Sequence, residues 1–149
     1  MPDRFTPART LDRITADALS LRRALRARPV THAHTLAVRI TDAQQLAGTA
    51  LRLFLDFAQH ASQPSPTDLL LLDRVAQIAR AAQDASAELT AALARAVENR
   101  RRHVGTASGR VVLSGPSPQQ YIDSAVDLLD RIPALSDAIS RDQQLTPDR

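Results

Sequence analysis

Residues 66–102 read PTDLLLLDRVAQIARAAQDASAELTAALARAVENRRR, and this stretch decides the fold. Its apolar side chains recur at alternating spacings of three and four residues, which places them on one face of an α-helix. Such a helix would extend about 55 Å. The apolar positions are Leu71, Val75, Ile78, Ala82, Ala85, Leu89, Ala92 and Ala96. The stretch therefore predicts one long helix whose alanine-rich second half allows another helix to approach closely.

Three further segments have the same periodicity and predict three more helices. The apolar stripe of the first consists of Leu11, Ile14, Ala18, Leu21 and Leu25. That of the second consists of Leu36, Ile40, Ala43, Ala47, Ala50, Phe54 and Phe57, and Leu46, Leu51, Leu53 and Leu55 widen it. The last segment runs from Pro118 to about Ile139 and contains Pro133. We expect the second helix to be the most buried, because its apolar surface is the widest.

Helix starts are the clearest local signal in the chain. Three hydroxyl residues, Thr6, Ser65 and Ser117, each precede a proline. A hydroxyl at the N-cap and a proline at the first helical position favour helix initiation. Asp68 lies three residues after Ser65, and Gln120 lies three residues after Ser117, which predicts two capping boxes. A weaker start lies after Pro29, where Thr31 is the expected cap.

These patterns predict an all-α, up-down-up-down four-helix bundle formed by a single domain of residues 1–149. The third helix is long, and the last helix is expected to be kinked or broken at Pro133, which removes the hydrogen bond to the carbonyl of Leu129. Short connections favour antiparallel neighbours. Residues 1–5 are expected to be flexible, 103–116 to form a glycine-rich loop, and 143–149 to be frayed.

Composition excludes several classes of function. The chain has no cysteine, so a disulfide scaffold, a thiolate zinc site and a cysteine nucleophile are excluded. Only 3% of the residues are aromatic, which favours close-packed helices over a sheet. No apolar run approaches the roughly 20 residues that a membrane helix needs. No catalytic or cofactor motif stands out. We therefore expect a cytoplasmic protein that is not an enzyme and binds no cofactor, metal or membrane.

All 19 basic residues are arginines, yet the formal net charge is only +3. If the helices alternate in direction, the ends of the first and third helices meet and form an arginine-rich pole. The pole would contain Arg22, Arg23, Arg26, Arg28, Arg100, Arg101, Arg102 and Arg110. It could hold phosphates. The favoured alternative is structural: arginines complement helix C-termini, and an acidic face of Asp123, Asp127 and Asp130 neutralises them.

The function expected from the sequence is that of a non-catalytic scaffold or regulatory adaptor. It would act through protein contacts and form a homodimer. The expected self-association stripe consists of Ala82, Ala85, Leu89, Ala92 and Ala96. A nucleic-acid-associated regulator that uses the arginine-rich pole is the alternative and is not favoured. A third hypothesis, less favoured still, is an enzyme or small-molecule carrier whose glycine-rich loop covers the bundle interior.

Overall fold

The computed structural model of this protein describes residues 7–27, 32–60, 62–105 and 115–145. These residues form four α-helices with short turns at their ends. The helices are α1 (Pro7–Ala27), α2 (Ala33–Gln59), α3 (Pro66–Gly105) and α4 (Pro118–Leu145). No strand occurs among the described residues. The predicted all-α class is therefore confirmed.

The predicted helix starts at proline are confirmed for α1, α3 and α4. Two capping boxes are present. The Ser65 backbone N–H donates to the Asp68 carboxylate at 3.0 Å, and the Asp68 N–H donates to the Ser65 hydroxyl at 3.1 Å. Ser117 and Gln120 make the equivalent pair of bonds at 2.7 and 3.3 Å. Each box satisfies N–H groups that the first helical turn leaves without intrahelical partners.

The start of α2 lies one residue later than the sequence suggested. Its N-cap is His32, whose backbone is extended and whose side chain makes no capping hydrogen bond. Thr31, the expected cap, lies outside the described residues, as does Thr6 at the start of α1. Because α2 begins without a side-chain cap, its stability depends on tertiary packing.

The four helices contact one another as a square. α3 packs on α2 and α4, and α1 also packs on α2 and α4, while the two diagonal pairs make no contact among the described residues. Two contacts fix the relative direction of α3 and α4. Arg74 pairs with Asp142 at 3.1 Å, and the Arg95 guanidinium lies near Gly115. α3 and α4 therefore run antiparallel, and the up-down-up-down order of the whole bundle stays a prediction.

The core consists of the predicted apolar stripes. All five stripe residues of α1 are buried, and so are seven of the apolar residues predicted for α2. The largest fully buried side chains are aliphatic and include Ile14, Leu36, Ile78, Leu89 and Ile132. Each contributes about 1.5 to 3 kcal/mol by leaving water. Leu51 and Leu55 differ from the prediction, because they remain about half exposed on α2.

α4 is one helix that passes through Pro133. Of the two outcomes expected at this proline, a break is not observed, and a kink stays a prediction. Pro133 has no N–H, so the carbonyl of Leu129 loses its intrahelical donor. The buried side chains of Leu129, Ile132 and Ile139 lie on both sides of the proline. Their shared packing on the core holds the helix together across it.

α3 and α4 both end later in the sequence than expected. α3 continues to Gly105, so the first three residues of the predicted loop 103–116 are helical. α4 reaches Leu145, so residues 143–145, expected to be frayed, are helical. Residues 1–5, 106–114 and 146–149 lie outside the described part of the chain.

α3 extends beyond the packed part of the bundle. Its last buried residue is Ala92, and the helix continues for about 20 Å to Gly105. Residues 100–104 are all exposed, with Val104 at 82%. We call residues 100–104 the α3 tip. Because the tip contributes nothing to the core, its side chains can contact other molecules without disturbing the fold.

Candidate interaction surfaces

The stripe expected to mediate self-association lies inside the monomer, and that prediction was wrong. Ala82, Ala85, Leu89 and Ala92 are fully buried, and Ala96 is half-buried against the same core. The small side chains let α3 lie close to the neighbouring helices of its own chain. A second copy of the chain cannot reach them, so an interface between copies needs another surface.

The arginines of α1 are paired within the bundle. Arg22 forms an ion pair with Asp130 of α4, and Arg26 approaches the same carboxylate at 3.9 Å. Arg23 is exposed and makes no ion pair with a described residue. Arg28 lies outside the described residues. One acidic residue of α4 therefore pairs with two arginines of α1, which agrees with the structural alternative for Asp130 alone.

The arginines of α1 and α3 do not meet at one pole. Asp130 lies midway along α4. Gly115, just before α4, lies near Arg95 of α3, and Asp142, near the end of α4, pairs with Arg74 of α3. Asp130 is therefore level with about residue 84 of α3. The α3 tip lies about 25 Å further along the axis. The predicted pole was wrong because α1 has 21 residues and α3 has 40.

The α3 tip carries its own acidic partner, which the sequence analysis missed. Glu98 accepts hydrogen bonds from Arg101 at 2.9 and 3.1 Å and from Arg102 at 2.8 Å. These bonds, Arg101 first and then Arg102, lower the pKa of Glu98 to about 2. The same contact raises the pKa of Arg101. Arg100 is exposed and forms no ion pair with a described residue. Arg110 lies outside the described residues.

The other acidic residues of α4 do not form the predicted neutralising face. Asp123 accepts a hydrogen bond from the Gln119 side chain at 2.8 Å. Asp127 is exposed and makes no ion pair with a described residue. Of the three, Asp130 is the residue that pairs with arginine among the described residues.

α2 carries an exposed stripe without charged residues on its flank next to α3. Arg39, Asp42 and Leu46 line the groove between α2 and α1. On the opposite flank of α2, uncharged residues recur at spacings of four and three residues, so they form one continuous stripe. Its members are Ala37, Thr41, Gln44, Gly48, Leu51 and Leu55, all exposed except Gly48, which is half-buried. A large apolar pair, Leu51 and Leu55, is therefore left facing solvent.

α3 carries a matching stripe on its flank next to α2. Arg74 and Ala81 lie on the side of α3 that contacts α4. On the other flank the exposed residues are again uncharged: Leu69, Ala76, Gln83, Ala87, Thr90, Ala94 and Val97. Since α2 and α3 pack against each other, the two stripes adjoin. We call this combined surface the α2–α3 face.

The α2–α3 face is unusual for a chain in which 23% of the residues are charged. Leu51, Leu55, Leu69 and Val97 are 46%, 55%, 54% and 49% exposed, which makes them half of the large apolar side chains on the described surface. Charged residues such as Arg52, Asp73 and Arg80 border the face. A contiguous apolar patch with a polar border is typical of a protein interaction site.

Gly48 lies within the α2 stripe, and no atom would contact a Cβ placed on it. A glycine inside a helix is less favourable than alanine by roughly 0.5 to 1 kcal/mol. We therefore expect Gly48→Ala to raise the free energy of unfolding by about that amount in urea denaturation. Gly115→Ala is the matched control. The φ of Gly115 is +101°, so alanine there should destabilise the protein by about 1 kcal/mol. Equal effects at both positions would contradict this account.

A cleft of about 640 Å³ lies between α3 and α4, on the flank of α3 that faces away from α2. Its charged lining residues are Asp73, Arg80, Asp84 and Arg131, and Arg80 approaches Asp84 at 3.7 Å. The two signs balance, so the cleft has no net attraction for an anion or a cation. Among the described residues, no group of three His, Asp or Glu side chains is arranged to hold a metal ion.

Comparisons with known proteins give no relative. The chain matches no protein family, no curated protein and no solved structure. None of the described helices combines the length and apolarity needed to cross a membrane. Any functional conclusion therefore rests on the surfaces themselves.

Proposed function

We propose that this protein is a non-catalytic cytoplasmic adaptor that acts through protein contacts, and that its α2–α3 face joins two copies of the chain. One observation supports this proposal above all. Four of the eight large apolar side chains that are exposed among the described residues lie on one face. The stripes of this face contain no charged residue between Ala37 and Leu55 of α2 or between Leu69 and Val97 of α3.

The size of the α2–α3 face suits a dimer. The stripes extend about 27 Å along α2 and 42 Å along α3, and two adjacent helices are about 20 Å wide. The surface is therefore about 600 to 800 Å². A typical stable interface buries about 800 Å² on each partner. The face is large enough for a whole interface between two copies.

The chemistry of the face favours a copy of itself as partner. In an interface with two-fold symmetry, each residue of one copy meets the same surface of the other. A surface of one charge would repel itself in this arrangement, whereas an uncharged apolar surface does not. Gln44 and Gln83 lie near the middle of the face and are exposed. Their amides can donate and accept hydrogen bonds across the interface.

The solution mass tests this proposal. We expect light scattering at tens of micromolar protein to give about twice the 16.2 kDa of one chain. The mass should fall towards that of one chain on dilution, because association depends on concentration. A mass of one chain at every concentration would contradict self-association.

A further inference from the structure

We propose that the α3 tip binds the phosphate backbone of duplex nucleic acid. The tip presents Arg100, Arg101 and Arg102 on one helical turn, followed by His103. The guanidinium groups of Arg101 and Arg102 converge on the carboxylate of Glu98, and Arg100 lies about 100° from Arg101 around the helix axis. Arginine binds phosphate through two parallel hydrogen bonds and keeps its charge at any physiological pH.

The position of the tip allows a groove of a duplex to receive it. Residues 100–104 are exposed on all sides of the helix, because α3 continues beyond its last buried residue, Ala92. A bare helix with side chains is about 10 to 12 Å wide, and the major groove of B-DNA is about 12 Å wide. None of the chain's three phenylalanines lies among residues 100–104, and neither does its single tyrosine. Stacking on unpaired bases needs such residues, so the tip favours a duplex.

Glu98 sets the affinity of the tip. Its carboxylate, which is ionised at neutral pH, holds Arg101 and Arg102 by three hydrogen bonds. Glu98 therefore competes with a phosphate for both guanidinium groups. It also keeps their positions fixed when no ligand is bound. A variant that removes this negative charge should bind phosphate more tightly, which a purely structural role of the arginines does not predict.

Binding to a short duplex, measured by fluorescence anisotropy, tests the proposal. We expect a dissociation constant of about 10⁻⁴ to 10⁻⁶ M at physiological salt, and a loss of about 40-fold between 50 and 200 mM if three phosphates are contacted. Removing all three arginines, in Arg100→Ala/Arg101→Ala/Arg102→Ala, should abolish binding. The matched control is Arg9→Ala/Arg13→Ala/Arg141→Ala, which removes equal charge from exposed positions outside the tip and the α2–α3 face. Its binding should stay within a few-fold of that of the unmodified protein.

Glu98→Gln supplies the second, independent test. It should tighten duplex binding by about fivefold, the effect of one charge removed about 4 Å from a phosphate in water. Asp17→Asn changes the net charge equally on exposed α1 and should have a much smaller effect. The proposal fails if the unmodified protein does not bind, if both triple variants bind alike, or if Glu98→Gln binds no tighter than Asp17→Asn. Binding to phosphatidylserine vesicles without binding to the duplex would also overturn it.

Discussion

Ala85→Asp is expected to lower the free energy of unfolding by about 3 to 5 kcal/mol, because it places an unpaired carboxylate in the core. Ala85 is 0% exposed and lies in the middle of the stripe where α3 packs within its own chain. A domain of this kind is stable by only about 5 to 15 kcal/mol. Urea denaturation followed by circular dichroism measures the loss.

Ala87→Asp is the matched control for this prediction. Ala87 lies two residues further along the same helix and is exposed on the α2–α3 face. The same substitution there should cost less than about 0.7 kcal/mol, the difference in helix propensity. It should nevertheless weaken association, because it introduces two carboxylates into the symmetric interface. If Ala85→Asp were as stable as Ala87→Asp, the assignment of the buried stripe would be wrong.

Leu51→Glu/Leu55→Glu is expected to weaken association of the two copies at least about 100-fold, or about 2.8 kcal/mol. Two-fold symmetry places four glutamates in one interface, and burial of each without a partner is unfavourable. The monomer itself should remain folded, because Leu51 and Leu55 are about half exposed in it. Sedimentation equilibrium gives the dissociation constant.

Val38→Glu controls for the added charge in that experiment. Val38 is 41% exposed and lies on α2 outside the α2–α3 face. This variant should associate like the unmodified protein. Equal weakening by Val38→Glu would show that charge alone, and not the position of the leucines, governs association.

The periodicity of the sequence predicted the helices and their buried faces well, because both depend on residues that are close together in the sequence. Serine and proline define the starts of α3 and α4, and the apolar stripe of α1 is buried at every predicted position. The same periodicity could not reveal what covers a stripe. Ala82 and Ala92 therefore looked suited to a second copy, although α3 buries them within its own chain.

Predictions that depended on the level of residues along the bundle were less successful. The arginine-rich pole assumed that α1 and α3 end together, yet Arg22 and Arg26 meet Asp130 at the middle of α4. The unequal lengths of the predicted helical segments already indicated that α1 and α3 do not end at the same level. Glu98 was also missed, although its spacing of three and four residues from Arg101 and Arg102 is the standard spacing for ion pairs on a helix.

The α2–α3 face could be recognised only in part from the sequence. Leu51 and Leu55 were expected to widen the buried surface of α2, because an apolar residue beside a stripe usually extends it. In a square of four helices, each helix contacts only two neighbours, so this flank stays in water. Gly48 lies inside the helix among the residues of this stripe. A glycine at such a position was the sequence signal that this flank of α2 is not covered by another helix, and sequence reasoning overlooked it.

The distance between two copies of Gln83 tests the central claim most directly. Gln83 is exposed and lies midway along the α3 stripe, so a two-fold axis through the face passes close to it. The chain has no cysteine, so Gln83→Cys provides a single site for a spin label. Pulsed electron paramagnetic resonance should give a label-to-label distance below about 30 Å, since the face is only about 20 Å wide. No dipolar coupling, or a distance well beyond the width of the face, would contradict pairing through α2 and α3.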